Sequence, residues 1–392
     1  MGIFDFVKNK VVASRTLVVH IGSTQVLASI VSHEDGKPII ESLVSSDIAV
    51  LSSLSYSQFE REMQKALSGA ISKISGTTRI IPDSAYVFLS SPWYASQVRT
   101  AKLSRDTQFI ATKQMLDDMV GKELKAFEEE VIKAKSLTED ALGVIESKTV
   151  SVKLNGYLQE NPIGKRASEL DLSIFLAVAP ISLSKKIEES IHRIYSHAKV
   201  TLCTFLTASF IAGREILPHK DSYILLDIGG EITDVSIMRD GSPVQSISFP
   251  IGKNLLLRRL SKHLGRSMQE SATLCMLYME DKIENKMKEA CAKILNESKG
   301  EWLGAFQRTL MSMTSELSLP DTILLTVDSD IAPWFVELTS HEEFHQYSLS
   351  EKEFKVVQLK PELFHEKLSF KEGVSRNPFI MIEALSLLSL KK

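Results

Sequence analysis

"ILLDIGGEITDVSIMRDG" (residues 224–241) opens on an apolar run, places an aspartate and two glycines at its end, and passes through Thr233 and Asp234 into a second apolar stretch and an Asp-Gly pair. Strand-forming residues on both sides of a glycine turn, followed by Asp-Gly, spell a β-hairpin that leads into a third strand. The plan occurs a second time near the N-terminus. "TLVVHIGSTQVLASIVSHEDGKPI" (16–39) also has an apolar strand, a polar residue followed by Ile-Gly, a small polar turn, a Val- and Ile-rich strand, and Asp-Gly. The chain carries an internal duplication, clear in pattern and weak in letters.

Such turns have a definite chemistry. Amides of a glycine-containing turn make a concave anion site, and glycine lets a phosphate come close to the backbone. Gly22, Gly229 and Gly230 build the two candidate turns, and Ser23, Thr24 and Thr233 add hydroxyl donors. At the end of the second strand, Asp227 can hold Mg²⁺ through its water shell while the metal bridges phosphate oxygens. His20 stands at the same place in the first hairpin. Two such hairpins would grip one triphosphate from both sides, which requires Gly22 and Gly229 to face each other across a single cleft.

Composition narrows the alternatives. A chain of 392 residues is longer than one hydrophobic core usually serves, so more than one domain is expected. A net charge of −3 with no long basic block argues against a nucleic-acid partner. Cys203, Cys275 and Cys291 are far apart and lack metal-ligand spacing, as expected of buried small hydrophobes in a reducing compartment. No apolar run reaches the length of a membrane span and no signal-peptide pattern opens the chain, so a cytoplasmic location is expected. In "MGIFDFVKNK", Ile3, Phe4 and Val7 recur at helical spacing beside Lys8 and Lys10. Two readings stay open for residues 1–13: an element packed on the core, or an amphipathic membrane-targeting segment that binds weakly alone and firmly in many copies. The second would place the protein at the inner face of the cell membrane.

The paired hairpins resemble the two phosphate loops of the actin, sugar-kinase and heat-shock chaperone superfamily. Within it the chain is similar to the FtsA/PilM family, also in "NPIGKRASELDL" (161–172) and "SFPIGKNLLLRRLSKHLG" (248–265). The resemblance implies an α/β, actin-like two-domain fold of duplicated ribonuclease-H-like units with an inserted small α+β subdomain of SHS2 type. It divides the chain into a first domain at 14–82 and 169–217, an insertion at 83–168, a second domain at 218–368 with a helical region at 266–318, and a closing helix within 369–392.

The resemblance also implies ATP and Mg²⁺ in the cleft, and this chain departs from that pattern at four places. His20 replaces an aspartate in the first loop, and a neutral imidazole cannot draw hydrated Mg²⁺, although a protonated one could touch a phosphate. Val327 and Asp328 stand where a glycine pair lets the backbone approach adenosine, and Thr273 and Met276 align with the residues that serve ribose and base. Lys253 replaces the second glycine of an Ile-Gly-Gly turn, leaving only the second phosphate loop with the family's pattern. The expectation is weak or lost ATP binding and at most a weak ATPase. The function implied is a cytoplasmic, membrane-associated and self-assembling scaffold of bacterial cell division, partnered by the cell-division tubulin homologue. The alternative is a PilM-like scaffold of type IV pilus assembly that binds a pilus membrane protein. A small-molecule kinase of the superfamily would need a catalytic acid and adenosine contacts that the sequence does not offer.

Overall fold

The computed structural model describes residues 15–51, 55–135, 142–314, 319–340, 342–347 and 353–390. Ile3, Phe4, Val7, Lys8 and Lys10 lie outside the described residues.

The duplication read from the two hairpins is realised in sheet topology. In the first sheet, β1 (Thr16–Ile21) pairs antiparallel with β2 (Gln25–Glu34), which pairs antiparallel with β3 (Lys37–Asp47). On its other side β1 pairs parallel with β4 (Ser84–Leu89), and β4 with β9 (Lys199–Thr204). In the second sheet, β10 (Tyr223–Ile228), β11 (Thr233–Arg239) and β12 (Ser242–Phe249) repeat the antiparallel triplet. The parallel strands are β13 (Thr322–Val327) and β14 (Lys355–Gln358). A two-residue strand, β15 (Ser369–Phe370), adds to the free edge of β3. The Asp-Gly hairpins take the positive φ their sequence calls for, at Asp35 and Gly36 (49° and 77°) and at Asp240 and Gly241 (50° and 69°).

β1 is buried along its whole length, which explains why it reads as a continuous apolar run and does not alternate. One face of the first sheet is covered by α1 (Tyr56–Thr77) and α3 (Ile181–His192). Its other face shares a core with the second sheet, and α4 (Phe205–Ile216) and α9 (Pro378–Leu390) fill the layer between them. Residues 379–387 of α9 are buried on every side, consistent with a helix that has no polar face. The far face of the second sheet is covered by α5 (Lys253–Leu264), α6 (Met268–Met279), α7 (Asn285–Thr314) and α8 (Ala332–Thr339).

A third sheet joins β5 (Ala95–Ile110), β8 (Arg166–Pro180), β6 (Leu142–Leu154) and the short β7 (Tyr157–Leu158), with α2 (Lys113–Lys135) on one face. Alternation along β8 fixes this module to the first domain. Leu170, Leu172, Ile174 and Leu176 point into the module's own core, while Phe175, Ala177 and Ala179 join the core under α1 and α3. The third sheet therefore draws on residues 95–180, and 84–89 sit in the first sheet. Boundaries at 83 and 168 follow local sequence, and strand pairing is what shifts them.

Candidate functional site

The two glycine turns meet. The first connects β1 to β2 and the second connects β10 to β11, so both leave the ends of central strands, and both line one cavity of about 20 Å³ with His20, Gly22, Ser23, Thr24, Asp227 and Gly229 on its wall. Their approach is closer than a gripped triphosphate would allow. Ser23 Oγ accepts a hydrogen bond from the Gly230 amide at 2.7 Å. A Cβ at Gly230 would stand 2.6 Å from Thr24 Cγ2, and one at Gly229 would stand 2.9 Å from Ser23 Oγ, so these glycines serve the contact between the turns.

The chain's own groups use the donors that a phosphate would need. Gly22 N donates to Gln25 O at 3.1 Å and Gly229 N to Ile232 O at 2.9 Å. Thr233 is fully buried and its hydroxyl donates to Ile251 O at 2.7 Å, inside the second domain. The start of α5 presses on the second turn, where Lys253 N and Asn254 N donate to Gly229 O and Gly230 O at 3.0 and 2.8 Å. The second turn also contains a charge. Glu231 is buried, held by a bidentate Arg258 at 2.9 and 2.6 Å and by Asn254 Nδ2 at 2.8 Å. The sequence expectation of a second loop with the family's pattern takes no account of Glu231, whose acid in "GGEITD" was the available signal.

His20 does not act alone. Its Nδ1 lies 2.6 Å from Glu383 Oε1 on α9, and its ring sits between Phe205 and Phe379, with centroids at 5.2 and 4.8 Å. Burial pushes the Glu383 carboxyl up to about 7, partly offset by His20. Trp93 locks the first turn from below: its Nε1 donates to Gly22 O at 2.6 Å and its ring stacks on Phe59 at 4.7 Å.

Asp227 retains the feature of a cation ligand, because its Oδ1 is buried without a hydrogen-bond partner. Burial first, and then the charges of Asp234 and Asp328, hold its carboxyl well above the usual range. The space beside it does not suit hydrated Mg²⁺ with a triphosphate. The adjoining cavities measure about 20 and 10 Å³, room for one water at most, whereas Mg²⁺ keeps several. Asp234 is engaged elsewhere, accepting from Ser91 at 3.0 Å and from Ser248. Among the described residues no group of three His, Cys, Asp or Glu side chains is placed to share a metal.

Beyond the turns lies a cavity of about 1050 Å³ between the domains, lined by Met276, Val327 and Asp328. Thr273 is on the outside of α6, its hydroxyl bonded to Gln269 O at 3.1 Å, and Gln269, Ala272 and Cys275 line the wall in its place. At the mouth, Lys253 Nζ pairs with Asp328 Oδ2 at 2.6 Å and Asp330 Oδ2 at 3.3 Å. Asp328 also accepts from Thr24 Oγ1 at 3.1 Å and Gln25 Nε2 at 3.3 Å. Lys253, read in sequence as a lost glycine, is thus the cation that neutralises Asp328.

No family model matches this chain, and no curated protein sequence matches it. Solved structures do. A chain of the PilM-PilN type IV pilus biogenesis complex superposes with a TM-score of 0.63 at 14% identity, covering 95% of this chain and 97% of that one. A protein of unknown function with an actin-like ATPase fold from Bacteroides thetaiotaomicron gives 0.43 at 10% identity, covering 99% of each chain. The ethanolamine utilization protein EutJ from Carboxydothermus hydrogenoformans gives 0.43 at 10%, covering 87% and 84%. The likeness to the pilus-complex chain shows the fold alone, an actin-like one with two related domains and an inserted module. Among the described residues no helix is long and apolar enough to cross a membrane.

Proposed function

We propose that this chain is a PilM-like scaffold of pilus assembly that works by holding a membrane partner's tail and does not depend on ATP turnover. What supports this reading is the near full-length likeness to a chain of the PilM-PilN complex, inserted module included. The condition of the cleft agrees with it. A protein that hydrolyses ATP needs a phosphate site open to substrate, and here the amides of Gly22, Gly229 and Gly230 already have partners within the chain. The filled turns join the two domains into one platform, useful to a scaffold whose task is to present a fixed surface. Nothing in the described residues favours the cell-division role expected from the sequence over the pilus role, and the likeness to a pilus complex favours the latter.

Partner capture separates the two. Full-length chain on beads is offered the cytoplasmic tail of a PilN-type pilus membrane protein and, in parallel, the C-terminal tail of the cell-division tubulin. The pilus tail is expected to be retained at least about tenfold over the tubulin tail, a preference of roughly 1.4 kcal/mol. The reverse preference would reject the pilus reading.

A further inference from the structure

Lys253 is tied to both turns. Its backbone amide donates to Gly229 O in the second turn, and its ammonium pairs with Asp328, which in turn accepts from Thr24 and Gln25 of the first hairpin. Asp328 and Lys253 are both largely buried, at 13% and 14% side-chain exposure. Burial works against the ammonium, and Asp328 and then Asp330 outweigh it, keeping its pKa above the ordinary lysine value. An internal anion and cation therefore span the place between the turns.

We propose that the Lys253–Asp328 pair is an autoinhibitory latch, closing the cleft against polyanions until the pair is broken. The inference rests on the reading that the chain's own groups fill the phosphate end. Three features make this contact separable. The pair sits at the wall of the 1050 Å³ cavity that both residues line, so the side chains can part into open space without rebuilding a core. The lysine stem is flexible. A polyphosphate would seek the same donors that Asp328 now holds, namely Thr24, Gln25 and Lys253, and so would compete with it directly.

Hydrogen exchange of the amides at 22–25 and 229–232, with MgATP calorimetry on the same samples, tests the latch in the full chain, in Asp328→Asn and in Lys253→Met. Both variants are expected to exchange at these turns about tenfold faster than the parent, while β8 and α2 keep parental rates. Asp328→Asn removes the anion that competes with a polyphosphate and leaves the lysine only its longer contact to Asp330 at 3.3 Å; it is expected to bind MgATP at least tenfold more tightly than the parent, and Lys253→Met, which removes the cation, is not. Thr24→Val keeps the ion pair and removes one of its two ties to the first hairpin, leaving the Gln25 contact, so it remains informative if either charge variant misfolds; a roughly threefold rise at 22–25 is expected. Parental exchange in the variants, or faster exchange with no gain in MgATP binding by Asp328→Asn, overturns the latch. Micromolar MgATP binding by the parent overturns instead the filled-turn reading beneath it.

Discussion

Arg258→Ala is expected to lower the unfolding free energy by about 3 kcal/mol, because it strips a buried carboxylate of its bidentate partner. Glu231 is 6% exposed and stands in the second glycine turn, where Asn254 would be left as its remaining side-chain donor. Urea unfolding measures the loss as a lower midpoint at unchanged slope. Lysine should not rescue it, since a single ammonium cannot reproduce the guanidinium fork. The paired change Glu231→Gln with Arg258→Met should recover most of the loss, because it removes charge and partner together. A loss below about 1 kcal/mol in Arg258→Ala would mean that the pair behaves as an exposed one, and that the turn does not depend on it.

Trp93→Ala should cost more, roughly 3–5 kcal/mol. The indole is fully buried, stacked on Phe59 of α1, and hydrogen-bonded to Gly22 O. Truncation opens a cavity under the first turn and orphans a carbonyl in the same step. Trp93→Phe separates these effects, since it keeps an aromatic face against Phe59 and loses the donor, for an expected loss of about 1 kcal/mol plus a small packing term. Equal losses in both variants would show that the hydrogen bond, and not the packing, secures the turn. The link to function is direct, because the position of Gly22 and Ser23 relative to Gly230 depends on this support.

Both hairpins and the duplication were legible in the sequence because their signals are local. Apolar strands, Ile-Gly turns and Asp-Gly pairs act within a few residues, and Asp35–Gly36 and Asp240–Gly241 adopt the left-handed geometry that their letters predict. Within 369–392, where a closing helix is expected, α9 forms at Pro378–Leu390 and its residues 379–387 are buried. What the site does with these elements was not legible. Ser23 meets Gly230 across 207 positions and His20 meets Glu383 across 363, distances over which sequence spacing carries no geometry. Lys253 shows the consequence. Judged locally it is a glycine replaced, and only the fold reveals it as the partner of Asp328. Thr273 lies off the cavity for the related reason that helical phase sets which residue faces it, and Ala272 and Met276 are on the side of α6 that lines it.

Physically, the cleft is closed by the chain itself. A neutral contact between the turns, a buried Glu231–Arg258 pair behind one of them, and the Lys253–Asp328 pair in front occupy the phosphate end, beside the large cavity that Thr24, Gln25, Lys253 and Asp328 line. On the function proposed above, the frame of a nucleotide clamp serves as a joint between the two domains. Titration calorimetry of the unaltered full-length chain with MgATP tests this most directly. The expected result is no saturable binding at ligand concentrations up to about 1 mM, an affinity weaker than roughly −4 kcal/mol. Saturable micromolar binding that disappears in Asp227→Ala would contradict it, and would restore the two turns as a working triphosphate site.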